Sequence, residues 1–75
     1  MSALIEEVRQ ARRFRPQLAK AIRDAAGVSQ QRLADELGVD RVTVARWELG
    51  QRQPHGELLI RYMALLDGLS AEFAG

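Results

Sequence analysis

The chain has 75 residues, of which 47% are apolar, and it carries eleven basic and ten acidic side chains and no cysteine. A chain of this length folds as one small globular domain with a modest core, and without cysteine it has neither disulfides nor thiolate metal sites. No apolar run is long enough to span a membrane, and the first residues lack the pattern of a signal peptide, so we expect a cytoplasmic protein.

The distribution of charge is more informative than its sum, because the net charge is only +1. Six basic residues and no acidic one lie between Arg9 and Arg23, and three arginines accompany Glu48 between Arg41 and Arg52. Such clusters either bind an acidic partner such as nucleic acid or form the solvated face of a helix. Charge alone leaves both interpretations open.

The first two predicted elements are helices, and no segment shows the alternating pattern of a strand. Ser2 is expected to cap a first helix, and Pro16 suits the first position of a second, which Gly27 ends. The apolar positions of the first helix fall on one face and are Leu4, Ile5 and Val8. Those of the second follow the helical period and are predicted to be buried, namely Leu18, Ile22 and Ala25 or Ala26.

The basic residues that follow the first apolar face permit two interpretations. The segment from Arg9 to Arg15 is either a flexible arm that grips a phosphate backbone or the solvated side of the first helix. In the second case the apolar face packs onto the domain or onto a partner, and we favour this helical interpretation. Phe14, just before Pro16, is predicted to anchor the junction in the core.

Two short helices follow and are joined by a tight turn. Ser29 caps the first and Gly38 ends it, and Asp40 is expected to cap the second, which runs to Gly50. The buried positions of the first helix are predicted to be Leu33, Ala34 and Leu37. The turn is so short that the helices must cross steeply, with Val39 folded inward, and glycine supplies the positive φ that it needs. This arrangement is typical of a helix-turn-helix.

A longer helix is predicted near the end of the sequence. It begins at Pro54 and runs through Leu66, where Asp67 and Gly68 are expected to break it before a final turn from Ser70. Its core stripe is predicted to consist of Leu58, Leu59, Tyr62, Met63, Leu66 and Leu69.

The segment RVTVARWELG, residues 41–50, has two unlike faces at helical spacing. Val44 and Trp47 lie on one side and are predicted to face the core. The other side combines two arginines with small and apolar groups, has no acid, and consists of Arg41, Val42, Ala45, Arg46 and Leu49. An arginine fork fits the O6 and N7 acceptors of guanine, and an alkyl group suits the methyl of thymine.

Residues 23–54, RDAAGVSQQRLADELGVDRVTVARWELGQRQP, resemble the phage repressor and Cro-type helix-turn-helix family, also called the Xre family. The matching residues are Arg23, Gly27, Ser29, Gln30, Leu33, Ala34, Gly38, Val44, Trp47, Glu48, Gly50 and Pro54. The resemblance implies an all-α fold, a compact four- to five-helix lambda-repressor-like helix-turn-helix domain, here with an extra N-terminal helical segment. We expect this extension, or basic arm, to span residues 1–14 and the DNA-binding domain to span residues 15–75.

The resemblance also implies roles for individual residues. Those expected to face base edges are Arg41, Val42, Ala45 and Arg46. Those expected to contact phosphates are Ser29, Gln30, Thr43, Arg52 and Arg23. Those expected to hold the helix-turn-helix together are Leu33, Ala34, Gly38, Val44, Trp47 and Glu48. Glu48 is further expected to pair with Arg23, and Gln30 stands where the free N–H groups of a helix terminus favour a phosphate.

Three residues need a separate interpretation. Asp40 occupies a cap at which the family often has serine or threonine, and an aspartate caps well but repels a phosphate. Trp47 could stack on a base, but its phase favours the core. His55 has no neighbouring carboxylate or cysteine and is expected at the surface, so we predict no metal site, no cofactor and no enzymatic activity.

These features predict sequence-specific binding of double-stranded DNA by a transcriptional regulator, a repressor that acts as a dimer on a two-fold operator with its third conserved helix in the major groove. A homodimer, formed in solution or only on DNA, would use one of two leftover apolar patches, either Ile60 or the N-terminal Leu4, Ile5 and Val8. Its two DNA sites would lie roughly 34 Å apart. The alternative is an antitoxin or other protein-binding module whose N-terminal segment binds a partner protein.

Overall fold

The computed structural model describes residues 2–74, with side chains through residue 73, and contains five helices in that range. They are α1 (Ala3–Arg13), α2 (Pro16–Ala25), α3 (Gln30–Leu37), α4 (Arg41–Glu48) and α5 (Gly56–Ala74). No described residue lies in a strand, so the all-α fold with an additional N-terminal helix is confirmed. Met1 and Gly75, the outer ends of the two predicted segments, lie outside the described residues. None of the described helices is long and apolar enough to cross a bilayer.

Serine caps begin two of these helices, as the sequence predicts. The hydroxyl of Ser2 accepts hydrogen bonds from the backbone N–H groups of Leu4 and Ile5, at 3.2 and 3.4 Å. The hydroxyl of Ser29 accepts one from the N–H of Arg32 at 3.0 Å. Each bond satisfies a backbone donor that has no partner inside its own helix.

The turn between α3 and α4 depends on the backbone freedom of glycine. Gly38 has a φ of 72°, a conformation in which a side chain would be strained. The N–H of Val39 then donates to the carbonyl of Ala34 at 3.0 Å, which satisfies one of the last carbonyls of α3. The side chain of Val39 is half-buried and packs against the core. The short connection with Val39 folded inward, as the sequence predicts, is therefore confirmed.

The predicted capping role of Asp40 is wrong. Asp40 does stand at the N-cap of α4 with an extended backbone, but its carboxylate makes no hydrogen bond to the helix. Only its backbone carbonyl takes part, accepting from the N–H groups of Thr43 and Val44 at 3.0 and 3.4 Å. The side chain is exposed, so hydration competes with a capping bond that is worth little net free energy at the surface.

The core lies between α5 and the helix-turn-helix pair. Tyr62 is fully buried, with its ring 4.9 Å from that of Trp47 and 5.7 Å from that of Phe14. The core positions predicted for Phe14 and Trp47 are thus confirmed. The buried apolar residues are Phe14, Ala19, Leu33, Ala34, Leu37, Val44, Trp47, Leu59, Tyr62, Met63 and Leu66. Burial raises the pKa of the Tyr62 hydroxyl, which has no hydrogen-bond partner in the described part of the chain.

The buried face of α2 is not the one that the sequence predicts. Leu18 is 57% exposed and Ala25 is exposed, whereas Ala19 and Arg23 are buried, and Ala26, the predicted alternative to Ala25, is half-buried. Ile22 is half-buried and packs against the core. The helix is therefore rotated by about one residue from the predicted phase, because Arg23 must point inward to reach its partner on α4, and Ala19, four residues earlier, lies on the same face.

The last helix is longer and begins later than predicted. It starts at Gly56 rather than Pro54, which is buried just ahead of it, and it continues without a break through Asp67 and Gly68. A glycine inside a helix costs only about 1 kcal/mol. Packing outweighs that cost, because Leu66 is buried and Asp67 forms an ion pair with Arg13 of α1 at 2.8 Å.

The N-terminal segment is a helix that packs against α5, not an extended arm. Its inward face includes the buried side chain of Gln10. The predicted apolar face of this helix points the other way, since Leu4, Ile5 and Val8 are all exposed. They do not pack onto the domain, so the first of the two arrangements expected for this face, packing onto the domain rather than onto a partner, is not found.

Candidate nucleic-acid interface

The outer face of α4 is exposed along most of the helix. Val44 and Trp47 are buried on the inner side, as their spacing predicts. On the outer side Arg41 and Arg46 are exposed, Ala45 is half-buried, and Val42 and Leu49 are large apolar residues open to solvent. The helix ends at Glu48, two residues earlier than predicted, although the N–H of Leu49 still donates to the carbonyl of Ala45 at 3.0 Å.

Four of the six basic residues between Arg9 and Arg23 form ion pairs with acidic partners in the described chain, whereas the arginines around α4 do not. Arg13 and Lys20 form ion pairs with Asp67 and Asp24, at 2.8 and 2.9 Å, and Arg9 pairs with Glu6 at 3.0 Å. Arg46 and Arg52 are exposed, and within residues 2–74 their guanidinium groups have no ion pair and no hydrogen-bond partner. Their positive charge is therefore available to an anionic ligand.

Glu48, the acid of the second basic cluster, is turned into the interior and neutralised there. Its side chain is only 1% exposed, and its two oxygens accept from Nε and Nη2 of Arg23 at 2.6 and 3.0 Å. This hydrogen-bonded pair raises the pKa of the Arg23 guanidinium. Nη1 of Arg23 donates to the carbonyl of Val28 at 2.7 Å. The expected pairing of Arg23 with Glu48 is present, and the outer face of α4 is left without an acid.

The burial of the Arg23 side chain also limits the phosphate contact expected of this residue. The side chain is 9% exposed and its nitrogens are engaged by Glu48 and Val28. A phosphate would have to compete with these internal acceptors for a group that offers little surface. Arg23 therefore has no part in the binding surface proposed below.

Gln30 joins the beginnings of α3 and α4. Its amide nitrogen donates to Glu48 Oε1 at 3.0 Å, and its amide oxygen accepts from Nη1 of Arg41 at 3.3 Å. A chain of hydrogen bonds thus runs from the buried Arg23 through Glu48 and Gln30 to the exposed Arg41. Sequence reasoning missed this link because Gln30 and Arg41 are eleven residues apart, a separation that no local spacing rule covers.

Thr43, Arg46 and Arg52 meet at one cleft between α4 and the loop that follows it. The cleft has a volume of about 280 Å³, and Gln53 and His55 also line it. His55 is exposed, as the sequence predicts. Sequence analysis did not assign Gln53 to a site; its place directly after Arg52 was the only available signal. Ser29 is exposed at the start of α3, where its hydroxyl already caps that helix.

A comparison with protein-family models agrees with this geometry. The model described as Helix-turn-helix matches residues 20–73, which include α3, α4, most of α2 and nearly all of α5. The chain belongs to the Cro/Xre-type helix-turn-helix family. It is a DNA-binding helix-turn-helix protein of the transcription-regulator class. A search of curated proteins found no match, and neither did a search of solved structures.

The family match also indicates what to expect of catalysis, and it shows that α1 lies outside the matched residues. The family is one of DNA-binding regulatory domains, which are not normally enzymes, and the described residues contain no cluster of side chains that could hold a metal ion. The family match begins at residue 20, so α1 lies outside it.

Proposed function

We propose that this helix-turn-helix protein is a sequence-specific repressor that inserts α4 into the major groove of double-stranded DNA and acts as a dimer in the cytoplasm. The observation that carries the proposal is the outer face of α4, which is largely exposed, has no acid and is bordered by Arg46 and Arg52, whose guanidinium groups have no acceptor within the described residues. A B-DNA major groove admits one α-helix, and its edges carry the acceptors that an arginine fork fits. A protein bound there would block access to the DNA beneath it.

The base-reading residues of the proposal are Arg41, Val42, Ala45 and Arg46. Arg46 has no competing internal partner in the described chain, which makes its guanidinium the strongest candidate for a guanine contact. Arg41 is held at 3.3 Å from Gln30 Oε1. This contact leaves most of its five N–H donors free for a base or a neighbouring phosphate.

The phosphate-binding residues of the proposal are Ser29, Gln30, Thr43 and Arg52. Ser29 and Gln30 stand at the start of α3, where backbone N–H groups and the helix dipole favour an anion. Arg52 and Thr43 line one cleft beside Arg46. A phosphate held there would place the α4 face over the adjacent base pairs, because backbone contacts fix register while base contacts carry specificity.

Selection of binding sites from random duplex DNA, followed by titration of two variants, tests this assignment. Arg46→Ala should weaken the selected site by about 1–3 kcal/mol and flatten the preference at one base pair, expected to be G·C. Arg52→Ala should weaken all duplexes alike and lower the salt dependence by about one unit, because one fewer counterion is released.

Arg61→Ala is the matched control for both variants. Arg61 is also an exposed arginine, but it lies on α5 and donates to the carbonyl of Glu36 at 3.3 Å, away from α4. Its loss should leave both affinity and sequence preference nearly unchanged. If each of the two variants, Arg46→Ala and Arg52→Ala, loses as much affinity for mismatched duplexes as for matched ones, the α4 face merely neutralises charge and base reading is excluded.

The dimer in the proposal would form through α1. Leu4, Ile5 and Val8 lie on one side of this helix and are exposed, whereas Ile60 is partly covered. Of the two leftover patches, the one on α1 therefore offers more apolar surface. The same exposure favours the second candidate function, in which the α1 face of an antitoxin binds a partner protein.

A further inference from the structure

An apolar ridge runs along the middle of the outer face of α4. Val42, Ala45 and Leu49 follow one another at intervals of three and four residues, which places them in one row on a helix. Leu49 keeps this register because its N–H bonds to the carbonyl of Ala45 and its backbone is in the right-handed helical region. Leu49 is 69% exposed, more than any other large apolar residue in the described chain.

The two arginines of α4 flank this ridge. At 3.6 residues per turn, Arg41 falls on one side of the row and Arg46 on the other, so the charged side chains stand on its opposite edges. This arrangement has charge outside and alkyl groups inside. It complements a groove floor that offers guanine acceptors to the arginines and apolar groups to the ridge. In the major groove the apolar groups are the 5-methyl groups of pyrimidines.

We propose that the ridge of Val42, Ala45 and Leu49 reads pyrimidine 5-methyl groups and that Leu49 is a further specificity-determining residue. The inference rests on the function proposed above, since it requires α4 to lie in the major groove. Seven residues of helix separate Val42 from Leu49, which is about 10 Å at 1.5 Å per residue. Base pairs rise about 3.4 Å each, so the methyl groups read by the two ends should lie about three base pairs apart.

Single-atom changes in the selected duplex test the proposal with the full chain. Each thymine is replaced in turn by deoxyuridine, which removes only the methyl group, and each cytosine by 5-methylcytosine, which adds one. At the position under Leu49 we expect one of these exchanges to change the affinity by about fourfold, the effect of burying one methyl group. A loss of affinity on exchange for deoxyuridine would identify thymine as the base under Leu49, and a gain on exchange for 5-methylcytosine would identify cytosine.

Leu49→Ala should remove the same discrimination. On the methylated duplex it should lose about as much affinity as demethylation does, and on the demethylated duplex it should lose little more. Leu18→Ala is the control, because Leu18 is likewise an exposed leucine but lies on α2. Its affinity should match that of the parent on every duplex.

Two results would overturn the inference while leaving the proposed function intact. If Leu49→Ala weakens methylated and demethylated duplexes equally, Leu49 contacts the sugar-phosphate backbone. If Leu49→Ala changes self-association of the free protein and not the methyl dependence, the residue serves contact with a second copy. A selection that returns no preferred sequence would instead remove the proposed function itself.

Discussion

Glu48 connects folding and binding at the level of a single side chain. It is buried in α4, bonded to Arg23 of α2 and to Gln30 of α3. Its carboxylate therefore fixes three helices relative to one another. Because Gln30 in turn contacts Arg41, the Arg23–Glu48 pair also influences the position of an exposed arginine on the proposed DNA-binding face. A buried ion pair of this kind contributes orientation more reliably than net stability.

Glu48→Ala is expected to destabilise the domain by about 3–5 kcal/mol, because it leaves the buried Arg23 charge without its carboxylate. That loss is a large part of the total for a small domain. Urea unfolding followed by circular dichroism measures it. Glu48→Gln keeps one acceptor oxygen and should lose less, and Glu72→Ala, at an exposed glutamate on α5, should change stability by under about 0.5 kcal/mol. A change of that small size for Glu48→Ala would contradict the structural role.

At the level of the helices, two glycines of the same sequence have opposite requirements. Gly38 ends α3 with a φ of 72°, whereas Gly68 lies inside α5. A Cβ added at either position would meet no atom within 4 Å. Space is therefore equal at the two sites, and only the backbone conformation distinguishes them.

Gly68→Ala should stabilise the protein by about 1 kcal/mol, since alanine is the better residue inside a helix. Gly38→Ala should destabilise it by about 1 kcal/mol, because alanine is strained in the left-handed region. For a domain of this size the two melting temperatures should move in opposite directions by about 4–8 °C. The two variants serve as controls for each other. A fall in the melting temperature of Gly68→Ala would contradict the assignment of Gly68 to a continuous helix, and a rise for Gly38→Ala would contradict the left-handed conformation of Gly38.

The sequence predicts elements with strong local signals and misses those fixed by distant partners. Ser29 and Gly38 mark the ends of α3 through their own side-chain and backbone chemistry, so both were predictable. The apolar spacing of α2 did not give its phase, because Leu18 and Ala19 are neighbours. The pairing of Arg23 with Glu48, which only the family resemblance implied, decides which of the two is buried. The break predicted at Gly68 failed for a similar reason, since packing of α5 against α1 outweighs a small local preference. At the proposed site the outer face of α4 follows from its spacing, whereas the Gln30 contacts require the tertiary fold.

At the level of the whole molecule, the positions of the exposed surfaces suggest two separate roles. The α4 face carries two exposed arginines and no acid, and the α1 face carries apolar residues outside the family match, which begins at residue 20. A two-fold DNA site presents two identical half-sites. Each half-site would bind one copy of the protein, so the partner expected at the α1 face is a second copy. Pairing through α1 would couple two weak binding events into one tighter event.

Ile5→Glu tests this assembly, because a charge at the centre of the exposed apolar face of α1 should prevent the pairing of two copies. Affinity for a duplex with two half-sites about 34 Å apart should fall about tenfold, within the usual range of coupling between sites, and affinity for a single half-site should not change. Leu18→Glu is the control, since Leu18 and Ile5 are both 57% exposed but lie on different helices. Titrations of both duplexes and footprinting of the longer one provide the measurement. A footprint confined to one asymmetric half-site in the parent protein would exclude a dimer on DNA, and equal losses for Ile5→Glu on both duplexes would show that α1 does not mediate the pairing.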